Sequence, residues 1–284
     1  MFKKIFAAVI ALVMALGVFS MNAFAATDVV YGDITNDGNI NSQDALKVLQ
    51  TATGMYTATA YQQAVVDVNS DGNVNSSDAL LILQYATDLV KSFNKSYDNT
   101  QKAKKVDPVF ANGAYTFTLT LSDESSGNID VTFSTDGKAK VMYSTMKLGL
   151  IPVEYRLLHK DGKNYQIVPT INLGIEKFQG VYCETDDDIS SIFDTYEAIF
   201  MAEVIYASST KKTINGQVYD CETFCNENNA VFEYCYYDGA LEFLTVSAGS
   251  TTQTLDISNL MVGAETSKLI IPSDCVYDES AFQS

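Results

Sequence analysis

The sequence predicts an α+β chain of two unlike parts: a small all-α module near the N-terminus, and a larger antiparallel β-sheet domain with one long covering helix. Three observations carry that division. A twelve-residue loop rich in Asp, Asn and Gly, Asp33–Asp44, recurs as Asp67–Asp78, and each copy leads into a short amphipathic segment. From residue 111 the texture changes to apolar/polar alternation broken by Asp-Gly turns. Within that β-rich part, one segment alone has helical spacing: Ile189, Ile192, Phe193, Tyr196, Ile199, Phe200 and Val204.

The first element is a targeting segment over residues 1–25. Lys3 and Lys4 form its charged start, Ile5–Phe19 its apolar core, and Ala23-Phe24-Ala25 a small-residue cleavage signal. The apolar run is short for a membrane span, so the expectation is a secreted, extracellular protein with no stable membrane insertion. The chain has 284 residues and a formal charge of −17, which argues against nucleic acid and anionic membrane surfaces as partners.

The module over 27–92 is organised by its two loops. Each carries oxygen donors at positions 1, 3, 5 and 12, a backbone carbonyl at position 7, and Gly at position 6, the ligand schedule of an EF-hand calcium loop. In the first loop the expected ligands are Asp33, Thr35, Asp37, the carbonyl of Asn39, and Asp44. In the second they are Asp67, Asn69, Asp71, the carbonyl of Asn73, and Asp78. Ca²⁺ is a hard ion that takes six to eight oxygens, so the expectation is two Ca²⁺ ions, one per loop. Thr35 offers a neutral hydroxyl where Asn or Asp is usual, so the first site is expected to be the weaker. Ala45, Leu46, Val48 and Leu49 follow the first loop at helical spacing, and Ala79, Leu80, Ile82 and Leu83 the second. The two helices are expected to bury their apolar sides on each other, with Leu49 and Leu83 in the core. Little room is left for an entering helix before either loop, so these read as paired half EF-hands.

Tyr31-Gly-Asp-Ile-Thr-Asn-Asp-Gly-Asn-Ile-Asn-Ser-Gln-Asp-Ala-Leu46, repeated in pattern at Asp67–Leu80, resembles the type I dockerin of anaerobic bacterial cellulosomes. The resemblance implies a calcium-folded module that binds a cohesin domain on a scaffoldin or cell-surface anchor. It also implies that loop positions 10 and 11 and the outer side of the following helix face the cohesin. Here those are Ser42, Gln43 and the pair Leu49-Gln50 in one half and Ser76, Ser77 and the pair Leu83-Gln84 in the other, although Leu49 and Leu83 read first as core. The halves are so alike that the resemblance implies two binding orientations related by a half-turn.

Residues 93–110 read as a polar connector. Over 111–284, Tyr115, Phe117, Leu119 and Leu121 alternate with Thr116, Thr118 and Thr120, and turns at Asp136-Gly137, Asp161-Gly162 and Glu227–Asn229 separate further strands. Alternation predicts one wet and one apolar face. Asp186–Asp188 suits a helix N-terminus. The three-residue turn sets Cys221 across from Cys235, where a disulfide or two buried thiols both fit. The order of elements, and the late run ending in Ile270-Ile271-Pro272, weakly resembles the curved half-barrel of bacterial lipoprotein-carrier proteins.

No catalytic motif is visible in this domain. Glu154, Glu176, Glu184 and Glu203 show no spacing that singles out a glycosidase pair, and the chain has no Trp to stack on a sugar. His159 is the sole histidine, and nothing local marks Cys225 as a nucleophile. The expectation is a non-catalytic binding or structural domain for an apolar, peptide or glycan ligand. A dockerin-bearing carbohydrate-active hydrolase, or a free extracellular calcium-binding protein with structural loops, is the alternative.

Overall fold

The computed structural model describes residues 29–93, 104–123, 127–148, 150–174 and 176–282. The targeting segment 1–25 and most of the connector lie outside the described residues.

The first lobe holds three helices, α1 (Ser42–Ala52), α2 (Ala60–Val66) and α3 (Ser76–Ala86). The loops themselves start α1 and α3. Asn41 accepts from the Gln43 amide at 2.7 Å while Asp44 accepts from the Asn41 amide at 2.9 Å, a reciprocal cap. Asn75 and Asp78 repeat this at α3, at 2.7 and 3.0 Å. The twelfth residue of each loop is therefore also the third residue of the helix, which ties loop closure to helix initiation. Ala45 and Val48 of α1 meet Ala79 and Ile82 of α3 in one core, joined by Ile34 and Val68 from the second position of each loop. The sequence leaves little room for a full entering helix, and α2, seven residues long, is a short one before the second loop. Thr59 and Gln62 cap it reciprocally, and it sends Val65 and Val66 into the same core.

The second lobe is a twelve-stranded sheet. Its strands are β1 (Tyr115–Asp123), β2 (Gly127–Thr135), β3 (Lys140–Leu148), β4 (Ile151–Lys160), β5 (Lys163–Val168), β8 (Gly180–Glu184), β9 (Ile205–Ile214), β10 (Gln217–Cys225), β11 (Val231–Tyr237), β12 (Ala240–Ala248), β13 (Thr251–Val262) and β14 (Cys275–Tyr277). A small hairpin, β6 (Ile171–Asn172) with β7 (Lys177–Phe178), stands apart. The spatial order is β14-β8-β5-β4-β3-β2-β1-β13-β12-β11-β10-β9. Every pairing in the sheet is antiparallel except β14 on β8. Two meanders thus join at the β1–β13 seam, and β9 is an edge strand among the described residues.

Helix α5 (Ile189–Phe200) lies across one face. Asp188 caps it by accepting from the Ser190 and Ser191 amides, the role expected of that aspartate run. Its Ile192, Phe193, Tyr196, Ile199 and Phe200 bury against Phe117 and Phe133, which are cross-strand partners stacked 4.8 Å apart. Val204 falls beyond the helix end. Lys104 is buried at that end and donates to the carbonyls of Phe200 and Ala202, both at 2.7 Å, where a cation complements the helix dipole. Val106, and Phe110 of the short helix α4 (Asp107–Phe110) that follows it, join this core, so residues 104–110, read as connector, pack with the sheet.

The opposite face is not uniformly wet. Val141, Leu158 and Ile167 form a second apolar cluster there with Leu269. A strap following β13 covers it: the Glu265 amide donates to Ser134 Oγ, the Tyr143 hydroxyl to the Glu265 carboxylate, and Lys160 Nζ to the Leu269 carbonyl. On β10 and β11, Cys221 and Cys235 are cross-strand neighbours joined by a disulfide.

Candidate metal centre

Both loops turn through a left-handed Gly at position 6, Gly38 with φ 81° and Gly72 with φ 83°. That conformation suits glycine and folds the chain back on itself. It lets the position-1 carboxylate hold the turn from inside. Asp33 accepts from the amides of Asp37 and Gly38, and Asp67 from those of Asp71 and Gly72. From the far end, Asp44 accepts the Thr35 amide at 3.2 Å and Asp78 the Asn69 amide at 3.3 Å.

Positions 1, 3 and 12 of the first loop converge. Thr35 Oγ1 lies 3.0 Å from Asp33 Oδ1 and 2.9 Å from Asp44 Oδ1. In the second loop Asn69 turns instead to position 5, with its side chain bonded to the Asp71 amide and to Asp71 Oδ2. Asp33, Asp44, Asp67 and Asp78 are buried, and among the described residues no Lys or Arg pairs with any of them. Buried carboxylates without a cation are costly. Burial raises the Asp78 pKa against the pull of its backbone hydrogen bonds, and the charges of Asp67 and Asp71 push the same way. Asp71 is exposed, and its pKa is lowered chiefly by the Asn73 amide. Asp37, Asn39 and Asn73 are also exposed. Among the described residues no three acidic, His or Cys side chains group closely enough to hold a metal by themselves. The inner donors are nevertheless all oxygens around carboxylates that no Lys or Arg compensates, which suits a hard cation, and Asp37 and Asp71 stand exposed at position 5 of each loop.

Beside the loops, Ser42, Gln43, Ser76 and Ser77 are exposed, and Gln50 and Gln84 half-buried. The expectation that Leu49 and Leu83 are core residues is overturned: each is 42% exposed. Ala45, Val48, Ala79 and Ile82 fill the seam instead, leaving the leucines on the outer side. Leu46 and Leu80, equivalent positions in the two repeats, are 57% and 56% exposed. Sequence reasoning missed these two as surface residues. The signal was available, because Gln43, Leu46 and Gln50 fall on one helical stripe, as do Ser77, Leu80 and Gln84.

In the sheet lobe the acidic candidates have structural partners or none. Glu154 sits between Arg156 and Lys268, Glu184 pairs with Lys163, and Glu176 and Glu203 are exposed. His159 Nδ1 bonds Asn164 Oδ1 across the β4–β5 hairpin, 2.8 Å away. Cys225 is buried. No helix among the described residues is long and apolar enough to cross a membrane.

No curated protein matches the chain. Among solved structures, one described as "Structure of PNGF-II in C2 space group" aligns at 9% identity and TM-score 0.24, over 59% of this chain and 32% of that one. This chain thus spans about a third of that structure's length, and a likeness of this degree bears on neither fold nor activity. The family described as "Dockerin type I domain" matches residues 31–86. That span takes in both loops, α1, α2 and α3, and residues 31–86 of this chain are a type I dockerin domain.

Proposed function

We propose that the first lobe binds two Ca²⁺ ions and, so folded, docks the protein onto a cohesin domain of an extracellular, cellulosome-type polysaccharide-degrading complex. Asp33, Thr35, Asp37, the Asn39 carbonyl and Asp44 hold one ion, and Asp67, Asn69, Asp71, the Asn73 carbonyl and Asp78 the other. Bound Ca²⁺ supplies the positive charge that the buried carboxylates lack. Because Asp44 and Asp78 each close a loop and cap a helix, ion binding fixes the direction of α1 and α3.

The observation that carries this reading is the twinned surface. Two loop–helix units present the same outer residues, Leu46, Leu49 and Gln50 against Leu80, Leu83 and Gln84, with matched exposure. A monomer gains nothing from exposed leucines duplicated in register, whereas a partner surface does. Ser42, Gln43, Ser76 and Ser77 frame the ridge with hydrogen-bonding groups. The sheet lobe is cargo, a non-catalytic binding or structural domain.

Capture of the full chain by a panel of immobilised cohesins, with calcium and with chelator, tests this. At least one cohesin retains the chain in calcium and releases it on chelation. Retention by none of the panel, or retention indifferent to chelator, would overturn the reading.

A further inference from the structure

The edge strand β9 is not bare along its whole length. Ile205–Ser208 are half-buried, whereas Ser209–Thr213 are exposed. Helix α2 of the dockerin lobe packs on β9 and reaches β10, while Tyr206 turns to the sheet's own core. Ile205 joins the dockerin core cluster, and Tyr61 of α2 is half-buried there. Burial is the first cause of the raised Tyr61 pKa, and Glu227 and Cys225 of the sheet lobe are the next groups to bear on it.

Both flanks of this contact are pinned. On one side Phe93, where the dockerin lobe ends, stacks on Tyr85 at 4.8 Å. On the other, Lys104 is tied to the Phe200 and Ala202 carbonyls, three residues before Ile205. Lys104 thus lies at the same corner of the sheet as Ile205, on which α2 sits. Meanwhile the outer ridges of α1 and α3 keep equal exposure, 57% and 56% at Leu46 and Leu80, so the sheet lobe covers neither repeat.

We propose that the dockerin lobe is seated as a fixed cap on the first half of edge strand β9 through Tyr61 and Ile205, with both recognition ridges facing away. An unpaired sheet edge is a template for unwanted strand addition, and a short covering helix removes that hazard. A tethered module would sweep a wide volume on a flexible connector. A seated one carries the sheet lobe in one fixed orientation for each cohesin-binding mode. The seating stands independently of the cohesin reading. Only its consequence for cargo orientation rests on that reading.

Backbone NMR relaxation of the full chain in calcium tests the seating without a cohesin. Amides of the two lobes share one rotational correlation time in the wild type. In Tyr61→Asp/Ile205→Asp the dockerin amides shift to the shorter time of a small free domain, while cohesin capture is unchanged. Two correlation times in the wild type, or one shared time in the variant, overturns the proposal. Should the variant misfold, hydroxyl-radical footprinting of the wild type decides. Tyr61 is modified more slowly than the exposed Tyr237, and equal rates overturn the seating.

Discussion

Leu46 and Leu80 occupy the same place in two repeats, two residues beyond the closing aspartate of each loop, and differ in exposure by a single percentage point, 57% against 56%. Two equivalent apolar positions on a twofold-like lobe predict that either can anchor the same partner. Leu46→Asp or Leu80→Asp alone therefore leaves one orientation intact and weakens cohesin binding by only about twofold, the statistical loss of one mode of two. The double substitution removes both anchors and costs about 2 kcal/mol or more, the scale of an interface hot spot. Calorimetric titration of the three variants checks this.

Thr35 offers the first loop a neutral hydroxyl where the second has Asn69. Its hydroxyl already sits between Asp33 and Asp44, so a carboxylate at that position would face the ion directly. Thr35→Asp tightens the first site by about tenfold, since ligand charge count tunes such loops, and leaves the second unchanged. Site-resolved calcium titration of wild type and variant gives both values. It should also find the wild-type first site weaker than the second.

Gly32 has φ 98°, and a β-carbon there would stand 3.0 Å from two atoms of the Phe93 ring. That ring also stacks on Tyr85, so Phe93 clamps the start of the dockerin lobe to its end. Gly32→Ala strains the backbone and displaces the ring, destabilising the calcium-loaded lobe by about 1–3 kcal/mol. Phe93→Ala gives a loss without the strain. Denaturant melts followed by helical circular dichroism distinguish these from the wild type.

Much of this was legible in the sequence because it is local. The ligand schedule, the Asp188 helix start and the Asp-Gly hairpins all depend on residues within a few positions of one another. The length of one turn set Cys221 across from Cys235, but left a disulfide and two buried thiols both open. What escaped depends on distant chain. Lys104 reads as a connector lysine until Phe200 at the end of α5 and Ala202 just beyond it supply two carbonyls to receive it. The second apolar face around Val141 and Leu158 makes sense only once the strap carrying Leu269 lies over it. Leu49 and Leu83 look like core by hydropathy, but the α1–α3 seam is narrow enough that Ala45, Val48, Ala79 and Ile82 fill it.

The Cys221–Cys235 disulfide closes a loop with a sequence separation of 14. Constraint of the unfolded chain by a loop of that length contributes about 3 kcal/mol. Cys221→Ala/Cys235→Ala therefore lowers the stability of the sheet lobe by about that amount while cohesin capture is unaffected. Parallel melts of the sheet signal and capture assays read the two effects separately.

The phenols of Tyr115, Tyr155, Tyr196, Tyr234 and Tyr236 all have pKa values raised above the usual 10.0, burial being the first cause in each. Tyr115 is held further by its bond to Glu197 at 2.6 Å. Above pH 10 the unfolded chain releases these protons and the folded chain keeps them. Their contribution to stability is therefore intact below pH 10 and is lost as the pH climbs through the folded values. Absorbance titration should show these tyrosines ionising only with unfolding, and stability falling as the pH rises past 10.

The most direct measurement follows helicity and cohesin capture together while calcium is withdrawn by graded chelator. Two ions should leave each chain, and the helical signal of the dockerin lobe and its capture should fall in step, both restored by added Ca²⁺. A lobe that keeps its helices and its hold on cohesin after every ion is gone would contradict the role assigned to Asp33, Asp44, Asp67 and Asp78.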